Sequence, residues 1–213
     1  MKSFSYILVC ILLFSCSIQK SSNQNAVNTA SISTDSNLTE IETNIANDFL
    51  DIELKKERYA NYKDFEIVVI EEALKKMKPI SDYEFNLKYK KSWGKFIDNW
   101  ILDTVQIKKI KIELEKEEVY HWKVSDFKNI KVSLLKYEEL KTIINTGVYI
   151  NLPRKLIIYL SKPLIIDENN AFISFEIGNG QLGFATINHF TVLMRKVNNE
   201  WKENNFYYDG VFN

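Results

Sequence analysis

The side chains that could do chemistry are few and scattered. The chain has two histidines, His121 and His189, and two cysteines, Cys10 and Cys16. Two histidines with no carboxylate at a ligand spacing do not make a metal motif. No metal ion and no cofactor is therefore expected. H-E-x-x-H, P-loop, EF-hand and G-x-S-x-G patterns do not occur in the sequence. Ser-x-x-Lys occurs at Ser17, Ser92, Ser125 and Ser133. With 15 Ser and 25 Lys among 213 residues this spacing carries little information, and the partner motifs S-D-N and K-T-G are missing. Gly178-Asn179-Gly180-Gln181-Leu182-Gly183 matches G-x-G-x-x-G. A dinucleotide site needs a helix to start there, so that its N-terminus faces the pyrophosphate. The residues from Phe184 to Val192 read instead as strand, so a hairpin loop is expected. On residue type alone, Tyr120, His121, Trp122 and His189 are the first candidates to line a pocket. Each histidine also has a plain structural reading, and no pair of carboxylates stands out as acid and base.

Charge and composition narrow the classes further. The 28 basic side chains equal the 28 acidic ones. A general nucleic-acid binder needs a basic excess to displace counterions from phosphates, so no nucleic-acid partner is expected. With 46% hydrophobic and 13% aromatic residues the chain can build a core.

The N-terminus carries the most specific pattern. Lys2 precedes an apolar stretch from Phe4 to Phe14. Eleven residues suit a signal-peptide core and fall short of the roughly 20 needed to span a bilayer. The following Leu13-Phe14-Ser15-Cys16 resembles the lipobox of bacterial lipoproteins, with Phe14 bulkier than usual at its position. The resemblance implies cleavage after residue 15 and acylation of Cys16, whose several acyl chains would anchor the protein stably. Ser17 rather than Asp follows the cysteine, and no acidic cluster comes after it. By analogy with other lipoproteins this implies the cell envelope, at the outer membrane and facing the periplasm. Thiol catalysis is then excluded, since no other cysteine survives processing.

Residues 16–39 read as a tether. From Ser17 to Thr39, 15 of 23 residues are Ser, Thr, Asn or Gln, too polar to offset their ordering entropy. A single domain is expected over residues 40–213. Thr39 and Glu42 have capping-box spacing. Ile41, Ile45, Phe49 and Ile52 then predict a helix to about Lys56. A second helix is expected from Asp64 to Met77, on the stripe Ile67, Ile70, Leu74 and Met77, with Pro79 as its stop. Tyr83, Phe85, Leu87 and Tyr89 alternate as an extended segment would. Trp93, Phe96, Ile97 and Trp100 suggest a short helix. Alternation from Val105 to Leu114 predicts a strand, and Asp103-Thr104-Val105 before it resembles an O-glycosylation acceptor of Bacteroidetes. Strands are also expected at Val119–Val124 and Ile130–Leu135, and a helix at Tyr137–Asn145 ending at Gly147.

The C-terminal quarter, Leu156–Leu160, Leu164–Ile166, Ala171–Ile177, Phe184–Val197 and Glu200–Tyr208, predicts an antiparallel meander. Helices first and a meander last imply an α+β fold. Ser161-Lys162-Pro163, Ala171-Phe172-Ile173-Ser174-Phe175 and the stretch from Leu193 to Lys202 resemble the C-terminal part of envelope proteins of flavobacteria and relatives. A similar closing hairpin is seen in NTF2-like domains, which makes an NTF2-like arrangement one expectation. The match is structural and brings no activity with it. The function expected is a membrane-anchored, non-catalytic binding module for an envelope protein or other ligand. The alternative is an NTF2-like small-ligand binder or enzyme with a pocket between sheet and helices.

Overall fold

The computed structural model describes residues 36–92, 95–97, 99–148 and 154–210. The signal segment, Cys16, most of the tether, Trp93 and Gly94 lie outside the described residues. The fold is α+β. A seven-stranded mixed sheet has the order β4-β1-β5-β7-β8-β9, with β6 pairing the other end of β7. Its strands are β1 (Glu66–Ile70), β4 (Val132–Leu135), β5 (Lys155–Leu160), β6 (Leu164–Asp167), β7 (Asn170–Asn179), β8 (Ala185–Val197) and β9 (Glu200–Tyr207). A two-stranded hairpin, β2 (Lys91–Ser92) and β3 (Lys95–Phe96), stands apart. The helices are α1 (Ser36–Glu53), α2 (Met77–Tyr89), α3 (Thr104–Leu114) and α4 (Tyr137–Asn145).

The C-terminal meander forms as its pattern predicts. β7 pairs antiparallel with β5, β6 and β8, and β8 pairs antiparallel with β9. Asn198 and Asn199 take positive φ, 52° and 67°, in the closing turn, as their short polar side chains allow. After β7 the chain makes one 3-10 turn at Gly180–Leu182 and enters β8 without a helix. The dinucleotide reading fails on that ground.

Strand alternation divides the core between two faces. Leu156, Ile158, Ala171, Ile173, Phe175, Phe190 and Val192 meet Ile45, Ala46, Phe49 and Leu50 of α1. Burying each large side chain in that group contributes about 1.5–3 kcal/mol. The opposite face holds Phe172, Leu193 and Tyr207 beneath Ile80, Tyr83 and Leu87 of α2 and Ile107 of α3. Further along that face, Val68, Ile70 and Ile157 pack on Leu140 of α4. Helices thus cover both faces.

Several expectations are corrected. Glu66–Ile70 is a strand, not part of a helix, and pairs parallel with β4 and β5. Interior parallel strands are buried on both faces and read as continuous apolar runs, which makes Ile67 and Ile70 mimic a helical stripe. Pro79 lies inside the first turn of α2. Proline costs little there because the amide it lacks would have no intrahelical partner. Tyr83, Phe85, Leu87 and Tyr89 are therefore helical, with Tyr83 and Leu87 buried and Phe85 and Tyr89 exposed. Phe96 lies in the small hairpin rather than a helix. Val105–Leu114 lies in a helix, not a strand. Ile107 and Leu114 are buried and Ile110 packs beside them, a three- and four-residue spacing hidden within the alternating one. Residues 119–124 form only an isolated bridge, Glu72 to His121, and a short 3-10 turn. Finally, α1 starts at Ser36, so Thr39 is helical and does not cap it. Glu42 is buried and pairs with Lys76 Nζ at 2.6 Å and with Lys162.

Candidate functional site

Polar residues interrupt the apolar rhythm at one place on the α2 face. Ser174 and Glu176 on β7 stand opposite Thr191 and His189 on β8. In a strand, i and i+2 share a face, so these four lie on the same side as Phe172 and Leu193. The first turns of α2 bring Lys78 and Asp82, four residues apart, over them. Asp209, just beyond β9, closes the group.

The contacts are tight. Lys78 Nζ lies 3.3 Å from Asp209 Oδ2, 3.5 Å from Glu176 Oε1 and 3.7 Å from Asp82 Oδ2. His189 Nδ1 lies 3.1 Å from Asp209 Oδ2. Thr191 Oγ1 donates to Asp82 Oδ2 at 2.6 Å and shares a 2.6 Å hydrogen bond with Ser174 Oγ. Ser161 Oγ accepts from the Ser174 amide at 2.9 Å. Ser161, Ser174 and Thr191 are fully buried, so this chain satisfies groups that would otherwise be costly to desolvate.

Burial holds the Asp82 carboxyl above its ordinary range, against the pull of Lys78 and the Thr191 hydrogen bond. For Lys78, burial alone would favour the neutral amine, but attraction to Asp82, Glu176 and Asp209 overcomes it and raises its pKa. The amine therefore stays protonated and is a counter-ion, not a nucleophile. His189 spends Nδ1 on Asp209, which orients the ring and turns Nε2 the other way.

Beside this cluster, Tyr159 of β5 stands opposite Glu176. Its ring meets Phe184 edge-on at 5.1 Å and Tyr137 at 6.1 Å. Burial first, then Tyr137, Glu176 and Glu72, push the Tyr159 phenol upward. Phe184 takes φ 60°, unusual for an aromatic residue. Its ring lies against Gly178, where an added Cβ would come within 2.7 Å of Phe184 Cδ2.

The four residues named from the sequence do not form one site: Tyr120 and Trp122 meet edge-on at 5.2 Å, away from His121 and His189. Only His189 belongs to this cluster. Trp122 lies in the core on the α1 face, 2% exposed, and its Nε1 donates to the Leu160 carbonyl at 3.1 Å. Tyr120 packs beside it, donating to Asp126 Oδ2 at 2.9 Å, with Lys162 Nζ 4.3 Å from its ring centre. Burial and the Asp126 contact push the Tyr120 phenol up to about 12. His121, between them, alternates outward to solvent, with Nδ1 3.1 Å from Glu71 Oε1. Lys78, Asp82, Glu176 and Asp209 escaped the sequence reading. The signal that marks them is Ser174, Glu176, His189 and Thr191: polar residues at period two inside the otherwise apolar stretches Ala171–Ile177 and His189–Met194.

A groove of about 970 Å³ opens on the outside of α2, lined by Glu84, Phe85, Lys88, Lys90, Trp100 and Lys111 among others. Neither His121 nor His189 lines it. Lys111 pairs with Glu84 across it. Among the described residues no group of three or more His, Cys, Asp or Glu could hold a metal ion. No helix among them is long and apolar enough to cross a membrane. Comparison of the chain with protein-family models, curated proteins and solved structures finds no match.

Proposed function

We propose that this protein is a lipid-anchored lipoprotein of the cell envelope, held at the outer membrane and facing the periplasm, whose α+β domain is a non-catalytic binding module. The anchor rests on Leu13-Phe14-Ser15-Cys16 behind its apolar stretch, and the reach on the polar tether. The observation that carries the non-catalytic reading is the engagement of the buried charges with one another. Lys78 is held between three carboxylates, which suits a fixed scaffold better than proton or acyl transfer. Mass spectrometry of the protein from its native membrane tests the anchor. An N-terminal peptide starting at acylated Cys16 is expected; an intact Met1 or a free Cys16 thiol would overturn it. Crosslinking in intact cells tests the binding role, with a reproducibly captured envelope partner or ligand expected.

A second reading is favoured by one observation. His189 is oriented by Asp209 with Nε2 turned away, the arrangement of a general base or a ligand-binding imidazole. On that reading the domain binds or converts a small molecule near His189 and Tyr159. Ligand-induced shifts of the His189 ring resonances in NMR, lost in His189→Asn, would support it.

A further inference from the structure

The groove outside α2 has an unbalanced charge. Ser81, Glu84, Phe85 and Lys88 recur at helical spacing, so one face of α2 makes one wall. Trp100, Ile101 and the start of α3 make the other. Among the described residues, the carboxylates of Glu84 and Asp103 line it against the amines of Lys88, Lys90 and Lys111. Both carboxylates are engaged. Glu84 pairs with Lys111, and Asp103 accepts from the Val105 and Gln106 amides. Lys88 and Lys90 are exposed and pair with no carboxylate among the described residues. Their amines lie near rings instead: Lys88 Nζ is 5.4 Å from the Tyr89 ring centre and Lys90 Nζ 5.5 Å from that of Trp100. Between these lysines and Ser81, Phe85 is 42% exposed, and Trp100 and Ile101 are half-buried. The groove thus offers an apolar length of about 10 Å along α2, with unneutralised positive charge at one end.

We infer that this groove binds an alkyl carboxylate, its head group at Lys88 and Lys90 and its chain along Phe85, Trp100 and Ile101. The volume, about 970 Å³, lies at the upper end of the range for small-molecule sites. A carboxylate here gains charge-assisted hydrogen bonds from two amines that have no other anion. An alkyl chain needs no hydrogen-bond partner, and each methylene it buries adds to affinity. An acidic peptide answers the same charge but fits less well. Glu84 and Lys111 are engaged with each other, as are Asp103 and Gln106. A peptide laid along this wall would bury amides that meet few partners, and their desolvation would be costly. A cationic amphiphile is opposed by the same two lysines. The inference rests on the binding-module reading and gives that module a ligand class. It needs neither the acyl anchor nor His189.

The test uses the chain from residue 17 onward, which keeps every described residue and carries no acyl group of its own. Decanoate, below its micelle-forming concentration, is titrated by calorimetry beside decanol, decyltrimethylammonium and acetate. Saturable binding of decanoate is expected, with decanol and the ammonium about tenfold weaker or worse and no binding of acetate. Lys88→Gln combined with Lys90→Asn should weaken decanoate about tenfold and leave decanol binding and thermal melting unchanged. Asparagine is chosen because Lys90 sits at φ 53°, which asparagine tolerates. Lys116→Gln with Lys123→Gln, exposed lysines outside the lining, should bind as the unaltered chain does. Amide NMR shifts on titration should fall on residues 81–90 and 100–106. No saturable binding, an alcohol that binds as tightly as the acid, or a Lys88/Lys90 variant that binds normally would overturn the inference. So would shifts confined to other segments, or tighter binding of polyglutamate than of decanoate. Failure here leaves a crosslinked envelope partner untouched, and failure to capture a partner leaves the decanoate titration untouched.

Discussion

His189 Nδ1 lies 3.1 Å from Asp209 Oδ2, although one residue is in mid-strand and the other follows the last strand. The same carboxylate oxygen lies 3.3 Å from Lys78 Nζ. Next to it, Asn86 Nδ2 donates to the Tyr208 carbonyl at 2.7 Å. The end of the chain is thereby strapped across α2, and α2 is strapped to the sheet. The Asp209 contacts to Lys78 and His189 in the polar cluster depend on that closure.

Gly210 completes the strap. Its φ is +79°, and an added Cβ would lie 2.6 Å from Phe85 Cζ. Gly210→Ala should loosen the strap, costing about 1–2 kcal/mol. Hydrogen exchange checks this: faster exchange at residues 207–210 and in α2 is expected, with the α1 face unchanged.

Removing the central cation should cost more. Lys78→Met leaves Asp82, Glu176 and Asp209 facing one another with no cation between them. Stability should fall by about 3 kcal/mol, the lower end for a broken buried ion pair because Lys78 keeps some solvent contact. Adding Asp82→Asn should recover part of that loss. Urea unfolding of the single and double variants measures both.

The raised Asp82 pKa sets the sign of a pH effect. Burial makes the folded state hold this proton more tightly than the unfolded chain does. Its favourable contribution is full below the unfolded value, near 3.8, and is lost as pH rises through the folded pKa. Lys78, also raised, contributes fully below its ordinary 10.5 and loses that contribution as pH climbs through its folded value. The stability of the unaltered chain relative to Asp82→Asn should therefore decline from pH 4 upward and level off once Asp82 is ionised. Urea titrations between about pH 3 and 8 test it.

Asp103 starts α3. Its Oδ1 accepts from the Val105 and Gln106 amides at 2.8 Å, and Gln106 Oε1 accepts from the Asp103 amide at 2.9 Å. Asp103→Ala should cost about 1 kcal/mol and Gln106→Ala less, both read as a drop in Tm. Thr104, exposed at the first turn, remains open to the acceptor reading of Asp103-Thr104-Val105, which intact-mass measurement of the native protein decides.

Where the chain is uniform over many residues, the sequence is readable. Ile45 and Phe49 repeat at helical spacing on α1, and both are fully buried. The run of β-branched and aromatic residues from Ala171 to Ile177 and the Asn198-Asn199 turn foretold β7, β8 and their partners. Misreadings occurred where one pattern satisfied two periods. Ile107, Ile110 and Leu114 alternate in part and also fall on one helical stripe, and the Asp103 cap decides for helix.

By itself the sequence determined the polar lead, the α+β class and the C-terminal strands, because these follow from composition and from periodicity along a single segment. Only the tertiary structure decided that Glu66–Ile70 is an interior strand, that Tyr120 and Trp122 face away from His189, and that Lys78, Asp82, Glu176 and Asp209 share one site. Those facts depend on which strand pairs with which and on which face a helix covers. Such pairings join residues more than a hundred positions apart, 131 for Lys78 and Asp209, and no local pattern encodes them.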